Sequence, residues 1–360
     1  MNNTLGAVFM QVIQLVQEIA SHVQVKYLDL SVSHPNYQMP KQADDVDVIA
    51  VLKKLPQKIQ DQHLSSLLRN LIFYIYYSGE IALTRNQVVK ADYEIELDNI
   101  AAEVDWEFCE RLDKNNQGKG WWNPGFRILK QEVNGSLSVQ KKGVTVHIQR
   151  DRHLRLEEQS AVIGDFVSVY SPSSRIINQY YMAFGDLVSF FDNFPVFIYF
   201  NFSAEGAVAI MKYLTTRLNE IKIPFCLEVL YNPSNYGRYD SGNLRIDKDS
   251  YEVVRQVLQT VYAENKPCFQ TQIPIFTKML APGLALAEHP EPEYRSHFME
   301  TFGMNRCQIV ANALLKAHKN GDESPGSRMK YILQHFECLG IDLERPYLNP
   351  NSEDIYTPLD

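Results

Sequence analysis

The period of the hydrophobic pattern changes near residue 115, and this change constrains the fold more than any other feature of the sequence. Before it, apolar residues recur at helical spacing, as in VFMQVIQLVQEIASHV and HLSSLLRNLIFYIYYSGE. After it, short runs alternate apolar and polar residues, and Asn134-Gly135 supplies a hairpin turn between two of them. The sequence therefore predicts an α+β fold, with a helical N-terminal region packed on a largely antiparallel sheet with flanking helices. The sheet is predicted to span about residues 120 to 232.

This pattern divides the chain into three parts. Residues 1–114 are predicted to be helical, and their last apolar stripe spans Glu94 to Leu112. Residues 115–345 form the predicted α+β domain, in which Ser203 begins a helix as its N-cap. Residues 346–360 are polar and Pro-rich, which predicts a tail that is a strap or disordered.

Composition excludes several classes of protein. The net charge of −8 argues against a nucleic-acid binder that works by bulk charge. Five dispersed cysteines without a CxxC pair indicate reduced thiols in a cytoplasmic protein. Because no run of about 18 apolar residues occurs, no membrane partner is expected.

Familiar catalytic and cofactor motifs are missing from the sequence. It contains no GxGxxG, P-loop, GxSxG, HExxH or EF-hand pattern. His289 and His297 lie near acidic residues, but HPEPEYRSH has no recognised metal-ligand spacing. We therefore predict no metal site at these histidines.

A basic stretch, KKGVTVHIQRDRHLR, is the strongest local charge feature. Alternation along a strand places Thr145, His147 and Gln149 on one face, close to Lys142 at the preceding turn. Such a face suits an anionic-ligand cleft. It equally suits an ordinary solvated strand.

The loop YNPSNYGRYD comes after a predicted buried strand. Its Arg238 stands between Tyr236 and Tyr239, and an arginine there can grip a phosphate or carboxylate with two hydrogen bonds. The alternative is that Arg238 pairs with Asp240 and holds the loop.

Lys278 precedes an apolar run that is broken at Pro282-Gly283. A desolvated lysine crowded by cations loses its proton and can act as a base. The alternative is a lysine whose ammonium reaches water.

Arg306 comes after Gly303 near the start of a predicted helix, and we place it in the first turn. Since a cation opposes the helix dipole at that end, an anionic partner is indicated, either a ligand or an Asp or Glu of the chain.

Taken together and in order, several blocks resemble the Hop-type effector domain of type III secretion effectors from plant pathogens. This domain recurs as a lyase component in class V lanthipeptide and thioamitide biosynthesis, pathways that modify ribosomal peptides. The resemblance covers roughly residues 115 to 317. It is carried by IGDFVSVYSP, YFNFSAEGAVAIMKYLTTRLN, IPFCLEVLYNPSNYGRYDSG, FTKMLAPGLALAEHP and FGMNR.

The resemblance implies β-elimination of phosphate from phosphoserine or phosphothreonine in a precursor peptide, giving a dehydroamino acid, as in phosphothreonine lyases. It implies a phosphorylated peptide and a kinase-like protein as partners, with no cofactor. Lys278, Arg238 and Arg306 match family positions. We assign Lys278 and His147 as catalytic residues. The predicted phosphate and substrate contacts are Arg238, Arg306, Lys142, Tyr239 and Asp240.

Two positions depart from the family pattern. A lysine is expected in the strand after Pro224-Phe225, where this chain has Glu228, and an arginine is expected where it has Phe197 or Ile198. A carboxylate facing a phosphate dianion repels it. The alternative is therefore an inactive member that binds a peptide or protein partner. We predict that Arg238 and Lys278 line one shared cleft. We also expect Glu228 to form a salt bridge with a nearby cation, Arg238 being the first candidate.

Overall fold

The structure is a computed structural model that describes residues 2–37, 46–80, 104–187, 195–292 and 300–360. Residues 94–103 of the predicted helical stripe, and His297, lie outside the described residues. In its described residues the N-terminal part is mainly helical, as predicted. Its helices are α1 (Asn2–His22), α2 (Val46–Leu52), α3 (Gln57–Ile72), which continues as a π-helical turn (Phe73–Tyr77), and α4 (Trp106–Asn115).

A four-stranded antiparallel sheet comes after α4. Its strands are β3 (Trp121–Gln131), β4 (Leu137–Lys141), β5 (Val144–Ile148) and β6 (Phe166–Ser171), in the order β5-β4-β3-β6. A separate pair of short strands, β1 (Gln24–Lys26) and β2 (Ser31–Ser33), lies in the N-terminal part. The Asn134-Gly135 turn is confirmed between β3 and β4, and Gly135 has a φ of +84° there. The change of period near residue 115 therefore marks the change from helix to sheet.

A seven-stranded antiparallel sheet forms the centre of the molecule. It comprises β7 (Ser174–Ile177), β8 (Tyr180–Phe184), β9 (Pro195–Phe200), β10 (Cys226–Leu230), β11 (Gly242–Asp247), β12 (Lys278–Ala281) and β13 (Leu284–Glu288), ordered β12-β13-β9-β11-β10-β8-β7. The strands reach further along the chain than residue 232, where the sequence pattern stopped predicting them. The apolar run broken at Pro282-Gly283 is a hairpin of two strands.

The remaining helices flank the sheets. They are α5 (Arg150–His153), α6 (Ala204–Glu220), α7 (Tyr251–Asn265), α8 (Phe302–Lys319) and α9 (Pro325–Cys338). Ser203 caps α6, since its hydroxyl accepts a hydrogen bond from the Gly206 amide at 3.1 Å. The α+β fold is confirmed. In the described parts of the chain, no helix is both long and apolar enough to cross a membrane.

One large hydrophobic cluster joins the helical N-terminal part to the seven-stranded sheet and extends from Val12 to Tyr356. A smaller cluster fills one side of the four-stranded sheet. The C-terminal segment is packed along the sheet edge. Tyr356 is only 2% exposed, and the Leu359 amide donates a hydrogen bond to the Leu280 carbonyl of β12. Residues 346–360 are thus a strap on the sheet. The predicted domain limits stay a prediction.

Candidate functional site

Arg238 lies in the loop between β10 and β11, and its guanidinium is neutralised inside the chain. Its Nε and Nη2 donate to the two carboxylate oxygens of Asp240 at 2.9 and 3.0 Å. Its Nη1 donates to Glu80 at 3.1 Å, and the residue is 3% exposed. The Asp240 and Glu80 carboxylates raise the pKa of Arg238 above its usual value, although burial opposes this. The structure therefore has the alternative arrangement, in which Arg238 holds its own loop.

Tyr239 and Asp240 belong to the same loop and lock it to the end of the π-helical turn. The Tyr239 amide donates to the Ser78 carbonyl at 2.9 Å. A side chain at Gly79 would lie 2.5 Å from the Tyr239 ring, and Gly79 has a φ of +69°. Only glycine easily accepts both the positive φ and the close ring, and it lets the Tyr239 ring pack directly on the backbone at Gly79. Both residues therefore fix the loop.

Lys278 begins the edge strand β12 and is covered by the C-terminal strap. Its Nζ contacts both carboxylate oxygens of Asp354, at 2.8 and 2.7 Å. It also lies 5.1 Å from the centre of the Tyr347 ring, whose hydroxyl donates to the same carboxylate at 2.6 Å. The ammonium is thus held by a carboxylate and an aromatic ring rather than extended into water.

Arg306 lies within α8 and is 1% exposed. Since Thr301 caps this helix, Arg306 is in the second turn and not the first. Its Nε and Nη2 donate to the carbonyls of Pro346 and Leu348, both at 2.9 Å, and its Nη1 donates to Asn305. Burial lowers the pKa of Arg306 to about 10. The guanidinium therefore binds the start of the strap instead of a helix-terminal anion.

His147 and Lys142 lie on the four-stranded sheet, apart from the other predicted site residues. The Nδ1 of His147 is 3.2 Å from the Ser138 hydroxyl and 3.6 Å from the Glu132 carboxylate, and its side chain is 65% exposed. Lys142 is in the tight turn between β4 and β5, with a φ of +47°. The contacts of His147 connect it to β4 and to the turn between β3 and β4.

The three predicted cations are held by different partners. Arg238 is held by Asp240 and Glu80, whereas Lys278 and Arg306 are both held by the C-terminal strap. In the described residues, no hydrogen-bond partner is shared between Arg238 and Lys278. The structure therefore provides no contact that unites them in one cleft.

Glu228 lies on the polar face of the seven-stranded sheet, as strand alternation predicts. Leu227 and Val229 point to the opposite side and are fully buried. The Glu228 carboxylate accepts a hydrogen bond from Asn243 at 3.1 Å, and the charge of Arg245 favours its ionised form. Burial raises the pKa of Glu228 above its ordinary value. The expected pairing with Arg238 was wrong, because Arg238 is bound to Asp240 and Glu80.

The strand register identifies the other residues on this polar face. Arg175, Met182, Glu228, Asn243 and Tyr199 form one row across five strands. Cys226, Arg245 and Phe197 belong to the next row on the same side. Ile198 points to the opposite side, where it is fully buried. Of the two positions at which the family resemblance expects an arginine, only Phe197 therefore faces the same side as Glu228.

Residues 171–348 match the HopA1 effector protein family. Over these residues the chain belongs to the HopA1 effector family. Two solved structures are similar to it. One is the effector protein from Pseudomonas syringae pv. tomato strain DC3000, at 14% identity and a TM-score of 0.43, with 81% of this chain and 96% of that chain covered. The other is the effector protein from Pseudomonas syringae pv. syringae strain 61, at 15% identity and a TM-score of 0.40, with coverages of 83% and 100%. The search of curated proteins found no match.

The HopA1 region includes the seven-stranded sheet and most of the chain beyond it. It contains Glu228, Arg238, Lys278 and Arg306, together with the first residues of the strap. His147 precedes it, as does the NNQGKGWWNPGF loop from which the resemblance was expected to begin. The matched range also extends past residue 317, to Leu348. The matched range thus includes the two carbonyls that accept hydrogen bonds from Arg306.

Sequence reasoning missed three polar residues of the HopA1 sheet, Arg175, Asn243 and Arg245. The signal for two of them was present, because GNLRID alternates Asn243, Arg245 and Asp247 with Leu244 and Ile246. Pairing this strand with CLEVL would have placed Asn243 beside Glu228. Arg175 could not be assigned in this way, since its neighbour Met182 lies between it and Glu228.

Proposed function

We propose that this HopA1-family chain is a non-catalytic member that binds a peptide or protein partner. The observation that supports this most strongly is that all three cations matching family positions are bound by groups of the chain itself. Arg238 has two carboxylate partners, Lys278 contacts both oxygens of Asp354, and Arg306 is bound to backbone carbonyls.

Phosphate elimination makes specific demands on cationic groups. They must hold the dianion and stabilise the charge that develops on the leaving oxygen. Here a phosphate would have to displace Asp354 from Lys278, and it would meet Asp240 and Glu80 around Arg238. Arg306, at 1% exposure, has its donors directed to the strap and to Asn305. None of these arrangements favours a bound dianion.

Glu228 adds a further obstacle. A carboxyl group occupies the position where the resemblance expects a lysine, and it is part of the polar sheet face with Asn243 and Arg245. When ionised, this carboxylate repels a phosphate dianion. A partner without a phosphate has no such conflict.

The experiment is incubation of the full chain with phosphothreonine and phosphoserine peptides, followed by mass spectrometry. Loss of phosphoric acid reports elimination, and alkali-treated peptide supplies the reference product. We expect no loss beyond that of the protein-free control. Protein-dependent product that disappears in Lys278→Gln would overturn the proposal.

The lyase remains the second candidate, favoured by Arg175 and Arg245 on the same sheet face as Glu228. Because its pKa is raised, Glu228 retains its proton to a higher pH than a surface glutamate does. A protonated carboxyl can donate that proton to departing phosphate. In this case a phosphorylated peptide and a kinase-like protein are the partners. Elimination that survives in Lys278→Gln but is lost in Glu228→Gln would select this candidate.

A further inference from the structure

A groove of about 530 Å³ runs between helix α1 and the segment that leads into β12. None of the residues that bind the charged groups of Arg238, Lys278 and Arg306 lines it. Its walls combine aromatic, amide and aliphatic side chains from parts of the chain that are distant in sequence. The lining residues most relevant to ligand binding are Tyr37, Tyr76, Tyr239, Glu18, Gln14 and Met279.

Three tyrosines line the groove, and packing fixes their rings. Tyr76 donates or accepts a hydrogen bond with the buried His34 at 2.9 Å. Tyr37 packs on the same imidazole, with ring centres 4.9 Å apart. Tyr239 rests directly on Gly79. Rigid aromatic walls bind a ligand at low entropic cost, because few side-chain rotations are lost.

The backbone on both sides of the groove has unusual conformations. Tyr76 belongs to the π-helical turn Phe73–Tyr77. On the opposite side, Phe276 has a φ of +72° although it is bulky, and its ring is 1% exposed and packs against Phe336. Such conformations are uncommon and concentrate at functional sites. Their occurrence on facing walls indicates a shaped binding site.

The charge of the groove indicates what occupies it. Glu18 is the one charged side chain among its lining residues, it is exposed, and it forms no ion pair within the described residues. Gln14 is beside it on the same wall, and Met279 of β12 is 36% exposed. A ligand that fits this surface has an apolar body and a basic group that reaches Glu18.

Strand addition is not the binding mode at this edge. The outer side of β12 is already engaged at Leu280, whose carbonyl accepts from Leu359 of the strap. Grooves lined by aromatic rings instead bind extended polyproline II segments, which are pre-ordered and expose their side chains. We infer that the groove binds an extended, proline-containing peptide with a lysine or arginine that pairs with Glu18. This inference rests on the proposed partner-binding function.

The test uses the full chain and a short fluorescein-labelled peptide of prolines and leucines with a single arginine. Fluorescence anisotropy gives its affinity, and the comparison peptide has glutamate in place of arginine. We expect Glu18→Lys to lower the affinity for the arginine peptide by about tenfold or more and to raise the affinity for the glutamate peptide. Glu264→Lys, an equal charge change on the exposed side of α7, is expected to alter neither affinity more than about twofold.

The outcomes separate the two proposals. Equal affinity of the arginine peptide for the parent and Glu18→Lys would mean that the chain binds peptides elsewhere, so the groove assignment fails and the proposed function stands. No binding of either peptide to the parent would also overturn the groove assignment. Protein-dependent elimination from a phosphopeptide would defeat the non-catalytic function, whereas a charge swap at Glu18 would still establish the groove.

Discussion

Separating Arg238 from Asp240 is expected to destabilise the fold strongly, because both groups are buried. Arg238 is 3% exposed and Asp240 is 6% exposed, and two hydrogen bonds of 2.9 and 3.0 Å join them. Breaking a buried pair by removing one partner costs about 3–5 kcal/mol. For Asp240→Asn we expect about 3 kcal/mol, at the lower end, since Glu80 still contacts the guanidinium at 3.1 Å.

A double-mutant cycle isolates the contribution of the pair. Arg238→Met leaves the Asp240 carboxylate buried without its main partner and should cost about 4 kcal/mol. The double variant Arg238→Met with Asp240→Asn removes both charges, so its cost should be less than the sum of the two single costs by about 2 kcal/mol or more.

Urea unfolding, followed by fluorescence and by circular dichroism, measures these free energies. Glu220→Gln is the matched control, because it breaks an ion pair on the surface. The side chains of this pair, Arg217 and Glu220, are 60% and 56% exposed. Glu220→Gln should cost less than about 1 kcal/mol. If Asp240→Asn also cost less than about 1 kcal/mol with an unchanged urea slope, Arg238 would not be neutralised by Asp240, and the reasoning would fail.

Two further predictions concern Glu228 and Gly79. Burial raises the pKa of Glu228 in the folded chain. The stability that this group contributes is therefore fully present below the ordinary pKa of glutamate, and it is lost as the pH rises through the folded-state pKa. The unfolding free energy of Glu228→Gln relative to the parent should therefore increase from acid towards neutral pH, and a pH-independent difference would contradict this. Gly79→Ala should cost about 2 kcal/mol more in urea unfolding than Gly135→Ala, because both have positive φ but only Gly79 meets a ring, that of Tyr239. Equal costs would show that the Tyr239 contact adds nothing.

The fold could largely be predicted from the sequence because its signals are local. The Asn134-Gly135 turn and the Ser203 cap need only the residues around them. The β12–β13 hairpin was missed because FTKMLAPGLALAEHP is almost continuously apolar. Such a run has no alternation when a strand is buried on both faces, as β13 is.

The site was predictable only where its partners are close in sequence. Arg238 and Asp240 are two residues apart, and their pairing was one of two alternatives for that loop. Asp354 is 76 residues beyond Lys278, and the Pro346 carbonyl is 40 residues beyond Arg306. No periodicity relates a polar tail to an edge strand, so the contacts by which the strap holds both cations could be found only in three dimensions.

The most direct test of the account compares the affinity of one peptide with and without a phosphothreonine, by calorimetry on the full chain. Because Arg238 and Lys278 are paired with carboxylates and Arg306 is bound to backbone carbonyls, we predict that the phosphate adds no affinity. Binding that is at least about tenfold tighter for the phosphorylated peptide, and that returns to the unphosphorylated value in Lys278→Gln, would contradict the account.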